Sequence, residues 1–315
     1  MRLFADAKYK FLSLRKTAYV ISGVLLAIGI FSVAIHRGLN YGVDFTGGTL
    51  FQVRFEAAVA ASDVRTALGE VGFANVQVQD FGREGEFLIR MAEFTEGGNR
   101  ELANRIQETL SDRFGADSYS VVRTEAVGPK VGGELRQRAV GAVLISFLLT
   151  LIYIGFRFEW RFGLAAIIAT IHDVIIAFGV ISLFSIEISL PTVAAILTII
   201  GYSLNDTIII FDRIRENLKK HRRLAYIDIL DLSINETLPR TVMTSGTTLA
   251  VLLALAIFGG AVIREFTFVL IVGVIIGTYS SIFVASPALL EVERRSGGVR
   301  SKTDRRKVTA GAESA

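Results

Sequence analysis

The sequence predicts an α-helical membrane bundle of six transmembrane helices with one α+β domain inserted between the first and second helices. Three observations carry this. Hydrophobic residues make up 51% of the 315-residue chain, and mean hydropathy is +0.50, which places it among membrane proteins before any detail is read. Six apolar runs each approach the roughly 20 residues that a span requires. The one long polar interval, residues 37–136, shows strand-like and helix-like periods instead of loop composition. The chain therefore divides into an N-terminus with the first helix (1–36), a soluble domain (37–136), five further helices (137–287) and a basic tail (288–315).

The first sixteen residues are polar and basic, with Arg2, Lys8, Lys10, Arg15 and Lys16. The apolar run from Thr17 to Ile35 is longer than a signal-peptide core and ends in Ile35-His36-Arg37, not in a small-residue cleavage site. It is read as the first membrane helix, with the N-terminus in the cytoplasm.

In the soluble interval, Thr49–Phe55 alternates as a half-buried strand does. Ser62 and Asp63 open a helix to Val71 that Gly72 closes. Asn75–Asp80 and Glu86–Met91 flank Gly82–Gly85 as a hairpin. Leu102, Ile106, Leu110 and Phe114 mark a second helix, and Ser118–Arg123 a last strand. The order βαββαβ fits a split-βαβ, ferredoxin-like domain. Gly128–Gly133 is read as the break that leads back to the membrane.

The remaining apolar runs cover about 137–156, 163–184, 190–211, 241–260 and 265–287. Arg157–Arg161, the Arg- and Lys-rich stretch from Asp212 to Pro239, and the tail with Arg294, Arg295 and Arg300 carry the positive charge expected of cytoplasmic loops. Ser185–Ser189 carries none; near Gly259-Gly260, Arg264 is the one exception. Both termini then lie inside and the soluble domain outside. Ile227, Leu230, Ile234 and Leu238 suggest a short amphipathic helix along the cytoplasmic interface, and the tail after Pro287 is read as disordered.

Asp206 stands near the end of an otherwise apolar span, beside Asn205. An ionisable group at such depth is costly, and by default is a functional candidate facing a bundle interior or water path. Burial disfavours a charged carboxylate and a nearby cation favours it, so a group held between the two can take a proton from one side and release it to the other. Arg240 is the candidate cation, predicted to reach toward Asp206 for part of a cycle. Behind it Thr241, Thr244, Ser245 and Thr248 form a hydroxyl stripe. Asp173, next to His172, either lines the path or only bonds across helices. As neighbours on a helix they point about 100° apart, so they are not expected to share one pore wall. Gly273 and Gly277, continued by Ser281, give a small-xxx-small face for internal packing or for an oligomer contact. The blander reading of Asp206 is an acid that merely fastens helices together.

Composition excludes other classes. No cysteine is present, which rules out disulfides and thiolate metal sites within the chain. Three scattered histidines offer no metal-ligand spacing, and no phosphate-binding glycine loop of Walker type occurs. The soluble interval has fifteen acidic against eleven basic residues, which argues against a nucleic-acid surface. The basic excess lies beside the spans, so no nucleic-acid partner is expected, only membrane lipid. An intramembrane aspartyl protease, with two acids sharing a proton, is disfavoured by the Asn-Asp-Thr context of Asp206, which lacks a glycine directly before the acid.

Five motifs in this order resemble the SecF subunits of the bacterial preprotein translocase, in the SecD/SecF family of the resistance-nodulation-division superfamily. They are Tyr41-Gly-Val-Asp-Phe-Thr-Gly-Gly48, Arg157-Phe-Glu-Trp-Arg161, Gly201-Tyr-Ser-Leu-Asn-Asp-Thr207, Phe211-Asp-Arg-Ile-Arg-Glu-Asn217 and Arg240-Thr-Val-Met-Thr-Ser-Gly-Thr-Thr248. The resemblance runs from about Tyr41 to Pro287. It implies a non-enzymatic inner-membrane protein with a periplasmic domain opened by Asp44, Phe45, Gly47 and Gly48. It also implies pairing with SecD, and assistance to the SecYEG channel late in preprotein export. The energy source would be the proton-motive force, with no cofactor. Asp206 would be the proton-conducting carboxylate and Arg240 its basic partner. A half-size proton-coupled efflux transporter is the alternative within the same superfamily.

Overall fold

The computed structural model describes residues 4, 7–73, 76–81, 85–91 and 99–296. The expected turn at 82–84, the start of the second strand at Asn75 and the tail beyond Ser296 lie outside the described residues. Among the described residues, six helices are long and apolar enough to cross a membrane. After a short turn at Phe11–Leu14 comes α1 (Arg15–Ile35); α5 (Pro129–Arg157), α6 (Trp160–Leu183), α7 (Leu190–Lys220) and α8 (Tyr226–Phe258) follow the soluble domain. The sixth span joins α9 (Gly260–Ser280) to α10 (Ser286–Arg295) through a π turn at Ser281–Ala285.

Between α1 and α5 lie α2 (Val43–Thr46), β1 (Gly48–Phe55), α3 (Ala61–Glu70), β2 (Gln77–Asp80), β3 (Glu86–Met91), α4 (Asn99–Phe114) and β4 (Tyr119–Val127). The four strands form an antiparallel sheet in the order β2-β3-β1-β4, the ferredoxin-like arrangement. Phe51, Val53 and Phe55 of β1 and Phe87 and Ile89 of β3 bury against Val64 and Leu68 of α3 and Ile106 and Leu110 of α4, as period-two and period-four patterns dictate. β4 runs four residues past the expected Arg123, because it pairs with the whole of β1 across a bulge at Gln52/Val53. On the sheet's other face Leu50 and Leu88 pack with Val43 of α2, so the two central strands β1 and β3 are buried on both sides.

The structure corrects the expected elements in three places. Gly128–Gly133 is not a break, since α5 starts at Pro129. Proline lacks an N–H that the first helical turn would leave unpaired anyway. Gly132 lets this turn approach α2, where an added Cβ would sit 2.9 Å from the Gly47 nitrogen. Ile227–Leu238 is not a separate interfacial helix but the first part of α8, continuous through Pro239. Its Ile229, Leu230, Ile234 and Leu238 are buried, and its polar edge holds the N-terminal segment. The backbone N–H of Leu12 donates to Asp231 and that of Tyr9 to Asn235, both at 2.9 Å. Residues following Pro287 are not irregular as far as Arg295: α10 buries Leu289 and Leu290, and Arg161 pairs with Glu293 at 2.6 Å.

Helix crossings rest on small residues. Gly29 of α1 meets Gly179 of α6 so closely that a Cβ on Gly29 would lie 3.0 Å from the Gly179 Cα, and Ser32 and Ser182 share a hydrogen bond of 3.0 Å one turn on. Gly273 lies against Ile199 of α7. A Cβ on Gly277 would stand 3.2 Å from the Ser203 Cα. Buried Ser281 donates to the Thr278 carbonyl at 3.0 Å. All three residues of the small-xxx-small face are thereby placed within the α7–α9 region of this chain. Gly179→Leu is expected to push α1 off α6 and to destabilise the bundle by roughly 1–3 kcal/mol. Gly23→Leu, with nothing within 4 Å of its added Cβ, is expected to leave stability unchanged. Thermal unfolding of the two variants in detergent checks the contrast.

Candidate functional site

The buried face of α7 repeats every three or four residues through Ile196, Ile199, Ser203, Asp206, Ile210, Ile214 and Asn217. The helix is set at its start by Ser189, whose hydroxyl accepts the Thr192 N–H, and by Pro191 in the first turn. This periodicity turns Asp206 inward, where it is 1% exposed. Its Oδ1 accepts from Asn205 Nδ2 at a long 3.5 Å. Its Oδ2 is buried with no hydrogen-bond partner among the described residues. Thr241 Oγ1, on the neighbouring α8, is buried and unpartnered too. Each is an orphaned oxygen in the packed pair α7–α8, where a buried polar atom normally finds a partner.

The structure brings some expected residues together and not others. Arg240 is exposed and lies within electrostatic reach of Asp206, but the two form no ion pair within 4 Å. Thr244 and Thr248 turn their hydroxyls back onto their own helix: Thr244 donates to the Arg240 carbonyl at 3.0 Å and Thr248 to that of Thr244 at 2.8 Å. Ser245 instead crosses between helices, bonded to Thr278 at 2.7 Å and accepting from Tyr202 at 3.4 Å. Asn205, Gly201, Arg240, Gly246 and Thr247 are exposed, so Asp206 sits directly behind an open face of the bundle.

Asp173 is a different kind of acid. It is 2% exposed and fully engaged, with Ser280 of α9 donating to Oδ2 at 2.6 Å and Ser203 of α7 donating to the same oxygen. His172 Nδ1 lies 2.8 Å from Oδ1. The two residues stand a residue's turn apart on α6, and the imidazole reaches back to its neighbour. Its Nε2 remains buried and unpartnered, and its ring stacks on Tyr279 with centroids 6.4 Å apart. Ser203 of α7 bonds Asp173 of α6, and Asp206 follows Ser203 by three residues, so Asp173 meets α7 about one turn from Asp206. The π turn starts immediately after Ser280.

A second polar cluster joins the sheet to the helices. Glu187, in the turn between α6 and α7, pairs with Arg90 of β3 at 2.5 Å. Arg90 also donates to Asn40 at 3.3 Å, and the Val43 N–H bonds Glu187. Asp44 accepts the Leu190 N–H at 2.8 Å, at the very start of α7. Phe45 is buried in the hydrophobic core of the helical bundle. Gly47, at φ +74°, would place a Cβ 2.7 Å from the Pro129 Cα. Asp44, Phe45, Gly47 and Gly48 are therefore the wedge between sheet and bundle. Sequence reasoning did not single out Glu187 or Arg90; the available signal was one acid between Ile186 and Ile188, all three buried.

These elements define a multi-pass membrane protein whose bundle hides an under-bonded acid behind an open face and clamps a small sheet domain to one end. The family described as protein export membrane protein SecD/SecF, C-terminal, matches residues 106–295, and the SecD/SecF GG motif matches residues 33–59. A protein translocase subunit SecF of Gemmatimonas aurantiaca is 46% identical over 317 residues, covering 99% of this chain and 95% of that protein. That of Desulfurispirillum indicum is 48% identical, covering 89% and 90%. The crystal structure of SecDF, a translocon-associated membrane protein from Thermus thermophilus, matches with TM-score 0.83 and 40% identity over 92% of this chain. SecDF in a super-membrane-facing form matches with TM-score 0.66 and 39% identity over 98%. The chain spans 39% and 40% of those two SecDF chains. It belongs to the SecD/SecF family, in its SecF branch.

Burial raises the pKa of Glu187, against the lowering pull of Arg90; Asp44 raises it further, and Glu265 also faces the cluster. A carboxyl raised on folding binds its proton more tightly in the folded state. Its contribution is therefore complete below the ordinary glutamate range and is lost as pH rises through the elevated value. Glu187→Gln is expected to flatten that part of the stability profile, so that the variant gains on wild type as pH increases. Melting temperatures of both proteins across the acid-to-neutral range check this; a constant difference contradicts it.

Proposed function

We propose that this chain is an accessory subunit of the Sec preprotein translocase that works with SecD. In this reading the pair uses the proton-motive force to drive a late step of export across the bacterial inner membrane. Both termini lie in the cytoplasm and the sheet domain in the periplasm, as the distribution of Arg and Lys favours. The observation that carries the reading is Asp206, 1% exposed with Oδ2 lacking any donor among the described residues, in a chain of this family.

The mechanism follows from what each group can do. Asp206 takes up a proton from the water path, with Asn205 on Oδ1. Arg240, at the exposed edge of α8, swings toward the ionised carboxylate after release and withdraws when it is neutralised. One charge crossing the membrane potential yields about 2.3 kcal/mol per 100 mV, and a few kcal/mol shifts a two-state equilibrium substantially. Repacking of α7 against α8 moves the start of α7. Asp44 on the Leu190 N–H and Glu187 on Arg90 pass that movement to the sheet domain, which acts on the emerging preprotein. Asp173, saturated by two serines and His172, holds α6, α7 and α9 in register beside the moving acid.

Two features support a partner. The polar, small-residue face around Asn205, Arg240, Gly246 and Thr247 suits another helix better than lipid tails, and the solved SecDF chains extend well beyond the matched segment. The same SecDF relatives match this chain to different degrees, 0.83 and 0.66, as expected of an assembly that changes shape. SecYEG and the exported chain follow from the family reading.

In vesicles containing this chain, SecD and SecYEG, Asp206→Asn and Arg240→Met are expected to lower preprotein-dependent proton flux by about 100-fold or more, the scale of a lost positioned proton carrier. Thr248→Val is expected to leave the flux near wild type, since its hydroxyl is spent on its own helix. Flux that follows added small drugs in place of preprotein would favour the efflux reading.

A further inference from the structure

The bundle carries a second, unrelated feature at the end that meets the sheet domain. A cavity of about 240 Å³ opens between α5, α6 and α7, lined by Tyr41, Phe45, Val140, Val143, Phe178 and Ile196 among others. It exceeds the apolar cavity of about 150 Å³ that admits benzene. Its lining is apolar apart from one side chain, Arg136, at the mouth. The Arg136 guanidinium stacks 4.9 Å over the Tyr41 ring and is exposed. No carboxylate lies within 4 Å of it among the described residues, whereas Arg138 two residues on pairs with Glu134. The slot then runs into the bilayer depth: α5 is scarcely covered by the rest of the chain, with Val140, Leu144, Leu148 and Leu149 exposed.

An unpaired cation at the membrane surface above an apolar slot has two complementary halves. The slot takes hydrocarbon, and guanidinium takes a phosphate, for which its planar fork is suited. We propose that this is a binding site for one anionic phospholipid from the leaflet on the sheet-domain side, its phosphate on Arg136 and an acyl chain between Phe45, Val143 and Phe178. The net negative headgroup is preferred because Arg136 has no carboxylate within 4 Å among the described residues to neutralise it. Because Tyr41 and Phe45 belong to the wedge between sheet and bundle, the bound lipid fills the space beside the joint that the sheet domain turns on. A helix of a partner subunit lying in the slot would leave Arg136 unpaired against hydrocarbon, which disfavours that occupant.

Native mass spectrometry of the full chain, released from detergent containing phosphatidylglycerol or phosphatidylethanolamine, tests the site. The wild type is expected to retain one phosphatidylglycerol after activation strips the rest, and to retain phosphatidylethanolamine less. Arg136→Gln is expected to weaken phosphatidylglycerol retention by about tenfold, the loss of one charge-assisted contact. Val140→Trp, which fills the slot from an exposed position without altering charge, is expected to abolish it, with melting temperature showing that the variant is folded. Equal retention of the two lipids, or unchanged phosphatidylglycerol retention in both variants, overturns the proposal. So does efficient cross-linking of Val143→Cys to the partner subunit in the assembled complex, which would show the slot filled by protein.

Discussion

A carboxyl oxygen with nothing to bind, enclosed in an apolar helical bundle, is the constraint that organises this molecule. Asp206 Oδ2 cannot remain both charged and unaccompanied at 1% exposure: a proton, a water or the guanidinium of Arg240 must complete it. The site is thus a choice between alternatives, unlike the neighbouring Asp173, whose two oxygens are already answered by Ser203, Ser280 and His172. Of these two acids on neighbouring helices, Asp173 on α6 is saturated and is the fixed point of the pair, whereas Asp206 on α7 is not saturated.

The fixed point needs the close crossings described for Gly29 with Gly179 and for Gly277 with Ser203. Small residues bring α1, α6, α7 and α9 into backbone contact, where dispersion and interhelical hydrogen bonds replace the hydrophobic drive that lipid removes. The α7–α8 side is built otherwise, with Ser245, Thr278 and Tyr202 in a polar bridge and with Gly246 and Thr247 facing outward. The helix that carries Asp206 is tied directly to the sheet domain, because α7 begins at Leu190, where Asp44 accepts its first N–H. The Glu187–Arg90 pair grips the sheet from the preceding turn. The wedge residues are short and glycine-bounded because α5 passes within contact of their backbone.

Much of this was legible in the chain. Hydropathy gave the six spans, and alternation in Thr49–Phe55 and Glu86–Met91 gave the strands of a ferredoxin-like sheet, because burial on one face imposes its period on the sequence. Asp206 stood out because an acid in an apolar run has no other camouflage. What stayed hidden depends on partners distant in sequence. Nothing local says that Gly132 will meet Gly47, so Gly128–Gly133 read as a break. Pro239 and a run of charges made α8 look like two elements, although Asp231 and Asn235 are polar because they hold the backbone at Leu12 and Tyr9. Glu187 drew no reading of its own within the short turn Ser185–Ser189, because its partner Arg90 lies almost a hundred residues away. Thr244 and Thr248 carried the right spacing, but spacing does not tell whether a hydroxyl points across to a neighbour or back to its own carbonyls.

The central claim is that Asp206 changes protonation state as the complex works. Infrared difference spectroscopy of the membrane-embedded complex during proton-gradient-driven export, with Asp206→Asn as the assignment control, addresses it directly. The account predicts a neutral carboxyl band that appears and vanishes with turnover and is missing in the variant. A carboxylate that stays ionised through every state would contradict it.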